Sequence, residues 1–153
     1  NAAAANYPQT GKLWIHEHGP RGGDEINIPQ PGKNYGWPLV SFGRKYIGFN
    51  IPDRLPERDD LTYPIYQWTP SIAPSGMMFY TGDKYDGWTG NLFVGALAGS
   101  HVARLELDDQ TVVNEEQLLT GKGMRFRALK QGPDGLIYIL TDSANGKILR
   151  LMP

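Results

Sequence analysis

Two groups of residues in this sequence have the types and spacing for chemistry. The first is His16-Glu17-His18-Gly19-Pro20-Arg21-Gly22-Gly23-Asp24-Glu25, continuing to Gly32-Lys33-Asn34-Tyr35-Gly36-Trp37-Pro38. Asp24 and Glu25 follow two glycines, in a stretch whose density of Gly and Pro frees backbone carbonyls from any regular ladder. Ca²⁺ takes about six to eight oxygens, carboxylate and carbonyl mixed, and this stretch offers both. The acids lack the regular spacing of an EF-hand. They also suit plain structural work, capping turns through Asx-type bonds, with Glu25 pairing to a surface Lys or Arg. His16 and His18, at i and i+2, share one side of a strand and could form two legs of a transition-metal site. No third ligand stands out and His101 is remote in sequence, so orienting or core histidines are the expectation.

The second group is Arg125-Phe126-Arg127. In a strand its two guanidiniums share a face and can clamp an anion bidentately; a solvated strand edge is the plainer alternative. A Ser-His-Asp triad has no Gly-x-Ser-x-Gly elbow to support it, and Ser75-Gly76 does not make one. Trp14, Trp37, Trp68 and Trp88 are expected to pack in the core rather than to form a stacking platform.

Short strands must position these groups. Leu13 to Glu17 reads as a strand, and the stretch after it, as far as Pro38, reads as an ordered loop leaving that strand. Further strands are expected at Trp37–Gly43, Pro64–Trp68, Gly76–Tyr80, Asn91–Leu97, His101–Leu107, Thr111–Val113 and Glu115–Leu119. Arg125–Leu129, Leu136–Asp142 and Lys147–Leu151 complete the set. Gly132-Pro133-Asp134-Gly135 and Ala144-Asn145-Gly146 carry turn chemistry. The alanines at 2–5 could make a helical turn, though they are too few to hold one alone. Lys45 to Tyr63, polar and broken by Pro52 and Pro56, reads as a surface excursion. Asn1 follows neither a Met start nor a charged leader, so a cut end is expected there.

The 153 residues suit one soluble globular unit, with 40% hydrophobic, 11% aromatic and 20% charged residues. A net charge of −1 points to no nucleic-acid or membrane surface, and no apolar run is long enough to span a bilayer. With no Cys, disulfides and thiolate metal sites are excluded. The 19 Gly and 12 Pro favour many short strands joined by tight turns. One unit recurs: Gly11-Lys12-Leu13-Trp14-Ile15, Gly90-Asn91-Leu92-Phe93-Val94 and Gly135-Leu136-Ile137-Tyr138-Ile139. Four short strands per roughly 40–50 residues is the repeat of a propeller blade. The chain therefore supplies about three blades, whereas closed propellers have roughly 4–8. It is expected to be part of a larger all-β ring.

The motif His18-Gly19-Pro20-Arg21-Gly22-Gly23-Asp24-Glu25-Ile26-Asn27, then Gly32-Lys33-Asn34-Tyr35-Gly36-Trp37-Pro38, strongly resembles the PQQ-dependent aldose sugar dehydrogenases of the glucose/sorbosone dehydrogenase family. Arg125-Phe126-Arg127, Gly132-Pro133-Asp134-Gly135 and Leu140-Thr141-Asp142 agree with it. The resemblance runs in order from about Thr10 to Leu151. It implies a six-bladed β-propeller of roughly twice this length, with residues 1–153 as its C-terminal half. It also implies PQQ and calcium as cofactors and oxidation of an aldose sugar at its anomeric carbon to a lactone. Hydride would pass to PQQ and then to an external electron acceptor, in a periplasmic or secreted protein.

By position, Gly19 and Pro20 match residues whose carbonyls bind the calcium at PQQ. Glu25 and Tyr35 match a second, structural calcium site, Tyr35 most easily by its carbonyl. Tyr46 matches a residue lining the cofactor, Ala96-Leu97-Ala98 the segment passing beside it, and Arg125 and Arg127, with Phe126 between them, its anion clamp. Two departures stand out. Many members carry Lys where Ala98 stands, so one cation over the quinone is missing. The family's proton-accepting His belongs to the missing N-terminal half, and His18 is not its equivalent. A non-catalytic binding propeller and a calcium-dependent propeller lactonase are the alternative functions.

Overall fold

The computed structural model describes residues 2–20, 22–37, 40–43 and 58–153. Eleven strands lie in them. β1 (Ala2–Asn6), β2 (Leu13–Glu17), β3 (Asp24–Asn27) and β4 (Tyr66–Trp68) make the first sheet. β5 (Pro74–Phe79), β6 (Leu92–Ala96), β7 (Val102–Asp108) and β8 (Thr111–Leu118) make the second, and β9 (Phe126–Gln131), β10 (Ile137–Thr141) and β11 (Ile148–Arg150) the third. Each sheet is an antiparallel meander. The first strands of the three sheets, β1, β5 and β9, lie side by side. This is the arrangement of three propeller blades, as the Gly-strand repeat predicts. Among the described residues there is no helix, and so none long and apolar enough to cross a membrane.

The middle blade shows why these residues form strands. Alternate residues of β5 face opposite ways. Met77 and Phe79 join Trp14, Ile26 and Trp68 in a core between the first and second sheets. Met78 joins Phe93, Phe126 and Ile139 in a core between the second and third. Covered on both faces, β6 (Leu-Phe-Val-Gly-Ala) is buried at every position, which its unbroken apolar run predicts.

Several local expectations change. The alanine run is not helical: β1 pairs with β2, Ala3 opposite His16 and Ala5 opposite Trp14. Ala3 and Ala5 pack on the first core, and that packing outweighs the weak helical preference of a short Ala run. The stretch from Gly19 to Pro38 is not all loop, because Asp24–Asn27 forms β3, hydrogen-bonded to a strand on each side. Thr111–Val113 and Glu115–Leu119 are one strand, β8, not two. The strand expected at Trp37–Gly43 is absent at 37 and 40–43; Pro38 and Leu39 lie outside the described residues. Most of the Lys45–Tyr63 excursion also lies outside them; at its end an exposed Arg58–Asp60 pair closes at 2.7 Å.

Antiparallel meanders send every second connection to the same end of the sheets. Residues 18–23, 69–73, 97–101, 119–125 and 142–147 therefore gather at one end. The Gly19–Gly23 part of the first group and Arg125 of the second lie in these connections.

Candidate functional site

The first centre is built on β2 and β3. Their register sets Glu17 directly opposite Glu25. Asn27 Nδ2 donates to Glu17 Oε1 at 3.1 Å and to Glu25 Oε2 at 3.3 Å. Neither carboxylate has an ion-pair partner among the described residues. Burial pushes the Glu25 carboxyl up to about 7; the Asn27 hydrogen bond opposes this, and the Glu17 and Asp24 charges add to it. Among the described residues, the ion pair with Lys or Arg that sequence alone allowed for Glu25 is not formed.

These carboxylates face a cavity of about 440 Å³, whose walls include Gly19, Pro20, Glu25, Tyr35 and Trp37. The four residues matched to calcium thus share one cavity. A Cβ on Gly19 would lie 2.1 Å from the Gly22 carbonyl oxygen and 2.5 Å from that of Gly23. Only glycine lets the loop fold so that carbonyls crowd together here. The Tyr35 hydroxyl donates to the Ile28 carbonyl and accepts from Gln30 N–H, so a cation contact would fall to the Tyr35 carbonyl. Among the described residues no three His, Asp or Glu side chains converge as a metal set. Backbone oxygens must supply the balance, which is a hard-cation donor set. Two carboxylates with no cationic partner among the described residues, beside the crowded carbonyls, fit Ca²⁺.

Asp24 has the other role open to these acids. It is fully buried. Its Oδ1 accepts from Gly19 N–H at 2.9 Å; its Oδ2 accepts from Ser71 Oγ at 2.7 Å, Ile72 N–H at 2.8 Å and Ala73 N–H at 3.0 Å. With these acceptors engaged, it anchors the Gly19 loop to the link between the first two blades. The histidines are framework too. His16 Nε2–H donates to the Ser75 carbonyl and His18 Nε2–H to that of Pro74, both across the blade seam. Burial lowers the His16 pKa, which keeps the ring neutral, and its Nδ1 has no partner.

The raised Glu25 pKa has a direct consequence. Unfolding returns the carboxyl to its ordinary 4.5, so the charged form is disfavoured in the folded state. Without metal, stability is expected to fall as pH rises from 4.5 through about 7 and to level off above. A saturating divalent cation should remove that slope. Thermal melts at pH 5 and 8, with chelator and with Ca²⁺, check this; a chelated protein equally stable at both pH values contradicts it.

The second centre lies on the third blade. Arg125 Nε donates to Asp142 Oδ2 at 3.0 Å, and Arg127 Nη2 lies 3.0 Å from the same oxygen. Both guanidiniums are about half exposed, and their hydrogen bonds hold the Asp142 carboxyl below its usual range. One carboxylate engages only part of two guanidinium forks, leaving outward donors and a net positive charge for an anion. Arg125 also borders a second cavity of about 280 Å³, with Lys147 across it.

The remaining expected residues divide. Phe126 and Ala96 point into the cores and reach a ligand only through backbone. Leu97 is buried, its N–H bonded to the Ala73 carbonyl; Ala98 is exposed. Tyr46 lies outside the described residues. Trp14 and Trp68 are core residues as expected, and Trp88 packs against the second core, but Trp37 is 69% exposed at the first cavity and packs in none. The sequence alone does not single out Glu17, Asn27 or Asp142 as site residues. Glu17 and Asn27 needed the β2–β3 pairing to be found. Asp142 closes the Leu140-Thr141-Asp142 motif, and only the third blade's folding brings it to the two arginines.

The sequence matches the Glucose / Sorbosone dehydrogenase family over residues 1–150. It is 46% identical over 147 residues to the aldose sugar dehydrogenase YliI of Escherichia coli (strain K12), covering 95% of this chain and 40% of that protein. A crystal structure of a glucose dehydrogenase superposes with a TM-score of 0.90 at 47% identity, covering 98% of this chain and 44% of that one. The PQQ-bound aldose sugar dehydrogenase of Streptomyces coelicolor shares the fold, with a TM-score of 0.70 at 22% identity over 96% of this chain and 41% of that one. The chain thus spans about two fifths of the length of the curated relatives it matches. With its three blades, its loop motif and its arginine pair, the chain belongs to the glucose/sorbosone dehydrogenase family.

Proposed function

We propose that residues 1–153 are the C-terminal half of a propeller that oxidises an aldose sugar at its anomeric carbon, with PQQ and Ca²⁺ as cofactors. The observation that supports this reading is the presence of two complementary centres in one set of blades, with the Gly19 loop and Arg125 on connections at the same end. One, at Gly19 and Pro20 with Glu17, Glu25 and Tyr35 beside them, suits two hard dications, one at the cofactor and one structural. The other, at Arg125 and Arg127, suits a polycarboxylate. When bound, PQQ supplies the two-electron oxidant, and calcium supplies the charge that polarises it.

The chain's own residues bind and orient. Glu17 and Glu25 would hold one calcium with the Tyr35 carbonyl, and the Gly19 and Pro20 carbonyls would hold the calcium at PQQ. The outward N–H groups of Arg125 and Arg127 take carboxylates, and their fixed charge stabilises negative charge that grows on reduction. The sugar loses a hydride from the anomeric carbon and a proton from its hydroxyl, leaving a lactone. The proton acceptor belongs to the N-terminal half, and an external electron acceptor regenerates the oxidant. A periplasmic or secreted location follows the family.

In the complete protein with Ca²⁺, PQQ should bind and support dye reduction by an aldose. Replacing both arginines (Arg125→Ala with Arg127→Ala) should weaken PQQ binding by about a hundredfold or more, since a hydrogen bond to a charged group contributes roughly 1.5–3 kcal/mol. Failure of any aldose to reduce the dye in the presence of PQQ refutes the reading.

A further inference from the structure

We propose that Ser75 is a positioning residue that aims the Arg125–Arg127 pair, by bridging two β-bulges on adjacent blades. The anionic ligand in this inference rests on the PQQ reading above; the geometry does not.

The first bulge is on β5. Pro74 faces Ala96 and Met77 faces Val94, so three steps on β5 oppose two on β6, and Ser75-Gly76 carries the extra residue. The second is on β9. Leu140 faces Ala128 and Thr141 faces Phe126, so Arg127 is the extra residue. A bulge bends its strand and re-aims the side chains around it. Here one of the arginines sits in a bulge and the other immediately precedes the same strand.

Ser75 ties the two together. Its Oγ lies 2.5 Å from the carbonyl oxygen of Phe126, the residue between the arginines, and 2.9 Å from that of Gly95. Its single hydroxyl proton is shared between these acceptors. Its own carbonyl accepts from His16 of the first blade. Three blades therefore meet at this buried residue. The surroundings leave the bridge little freedom. A Cβ at Gly76 would lie 2.6 Å from Ala128 Cα, and one at Gly95 2.7 Å from Ser75 Oγ and 2.9 Å from the Phe126 oxygen. Phe126 is fully buried, so its ring and carbonyl are both held. The arginines on either side must then leave the strand in the direction that meets Asp142.

Ser75 touches neither guanidinium, so its effect is on aim. In the complete protein, Ser75→Ala is expected to weaken PQQ binding about tenfold, the scale of one hydrogen bond, with Ca²⁺ affinity within about twofold by calorimetry. In the PQQ-free protein, the side-chain Nε–H resonances of Arg125 and Arg127 should broaden and lose protection from exchange. Unchanged arginine resonances overturn the proposal. So does a joint loss of PQQ and Ca²⁺ affinity with a large fall in melting temperature, which marks Ser75 as ordinary packing. If Ser75→Ala does not fold, Ser75→Cys, of similar size and a weaker donor, must show the same arginine signature. A protein that binds no PQQ even without substitution defeats the quinone reading, and the arginine resonances still decide the role of Ser75.

Discussion

Replacing Asp24 by alanine is expected to destabilise the complete protein by about 3–5 kcal/mol, the scale of two or more buried donors left without an acceptor. The carboxylate is fully buried and accepts from four donors. Three are backbone N–H groups; those of Gly19 and Ile72 have no other partner among the described residues once the carboxylate is gone, whereas that of Ala73 keeps Ser71 Oγ at 3.1 Å. An orphaned buried donor costs roughly 1–3 kcal/mol. Asp24→Asn keeps the shape and one acceptor oxygen but turns an NH₂ group toward other donors, so it should recover only part of the loss. Because the same carboxylate holds the Gly19 N–H, calcium affinity should fall together with stability. Guanidinium unfolding with and without Ca²⁺ measures both. A loss below about 1 kcal/mol for the alanine variant would show that the loop is held by other contacts.

Gly19→Ala is expected to weaken calcium binding by about a hundredfold or more. The added methyl would lie 2.1 and 2.5 Å from two backbone oxygens, and backbone cannot step aside as a flexible side chain can. The loop must open, and the carbonyls that would face a cation separate. Gly32→Ala is the control. Gly32 has φ +72° but nothing within 4 Å of the position its Cβ would take. Its cost is only that of the left-handed backbone, about 1 kcal/mol, and calcium binding should survive. Calorimetric titration of both variants separates crowding from backbone strain. Equal calcium affinities for the two would remove Gly19 from the site.

Much of this was legible in the sequence because it is local. Apolar runs and alternation mark β2, β5, β6, β7, β9 and β10, and turn glycines mark their joints. The count of about three blades follows from the repeat. Gly19, Pro20, Glu25 and Tyr35 stand in one motif, and they share one cavity. Arg125 and Arg127 flank one apolar residue, the spacing that suggests a shared face; both reach Asp142, although Arg125 precedes β9 and Arg127 is its bulge residue.

What only the tertiary structure decided is which of these groups meet. Composition left Asp24 and Glu25 interchangeable as cation ligands. Packing separated them, because Asp24 meets donors at Ser71, Ile72 and Ala73, far along the chain, while Glu25 meets the like charge of Glu17 across the β2–β3 ladder. The alanine run took its strand conformation from β2, and Trp37 stayed out of the cores. Periodicity encodes which side of a strand faces inward, since that depends on neighbours one or two residues away. It does not encode partners on another blade, which depend on register, bulges and the close approach that glycines such as Gly19 and Gly76 permit.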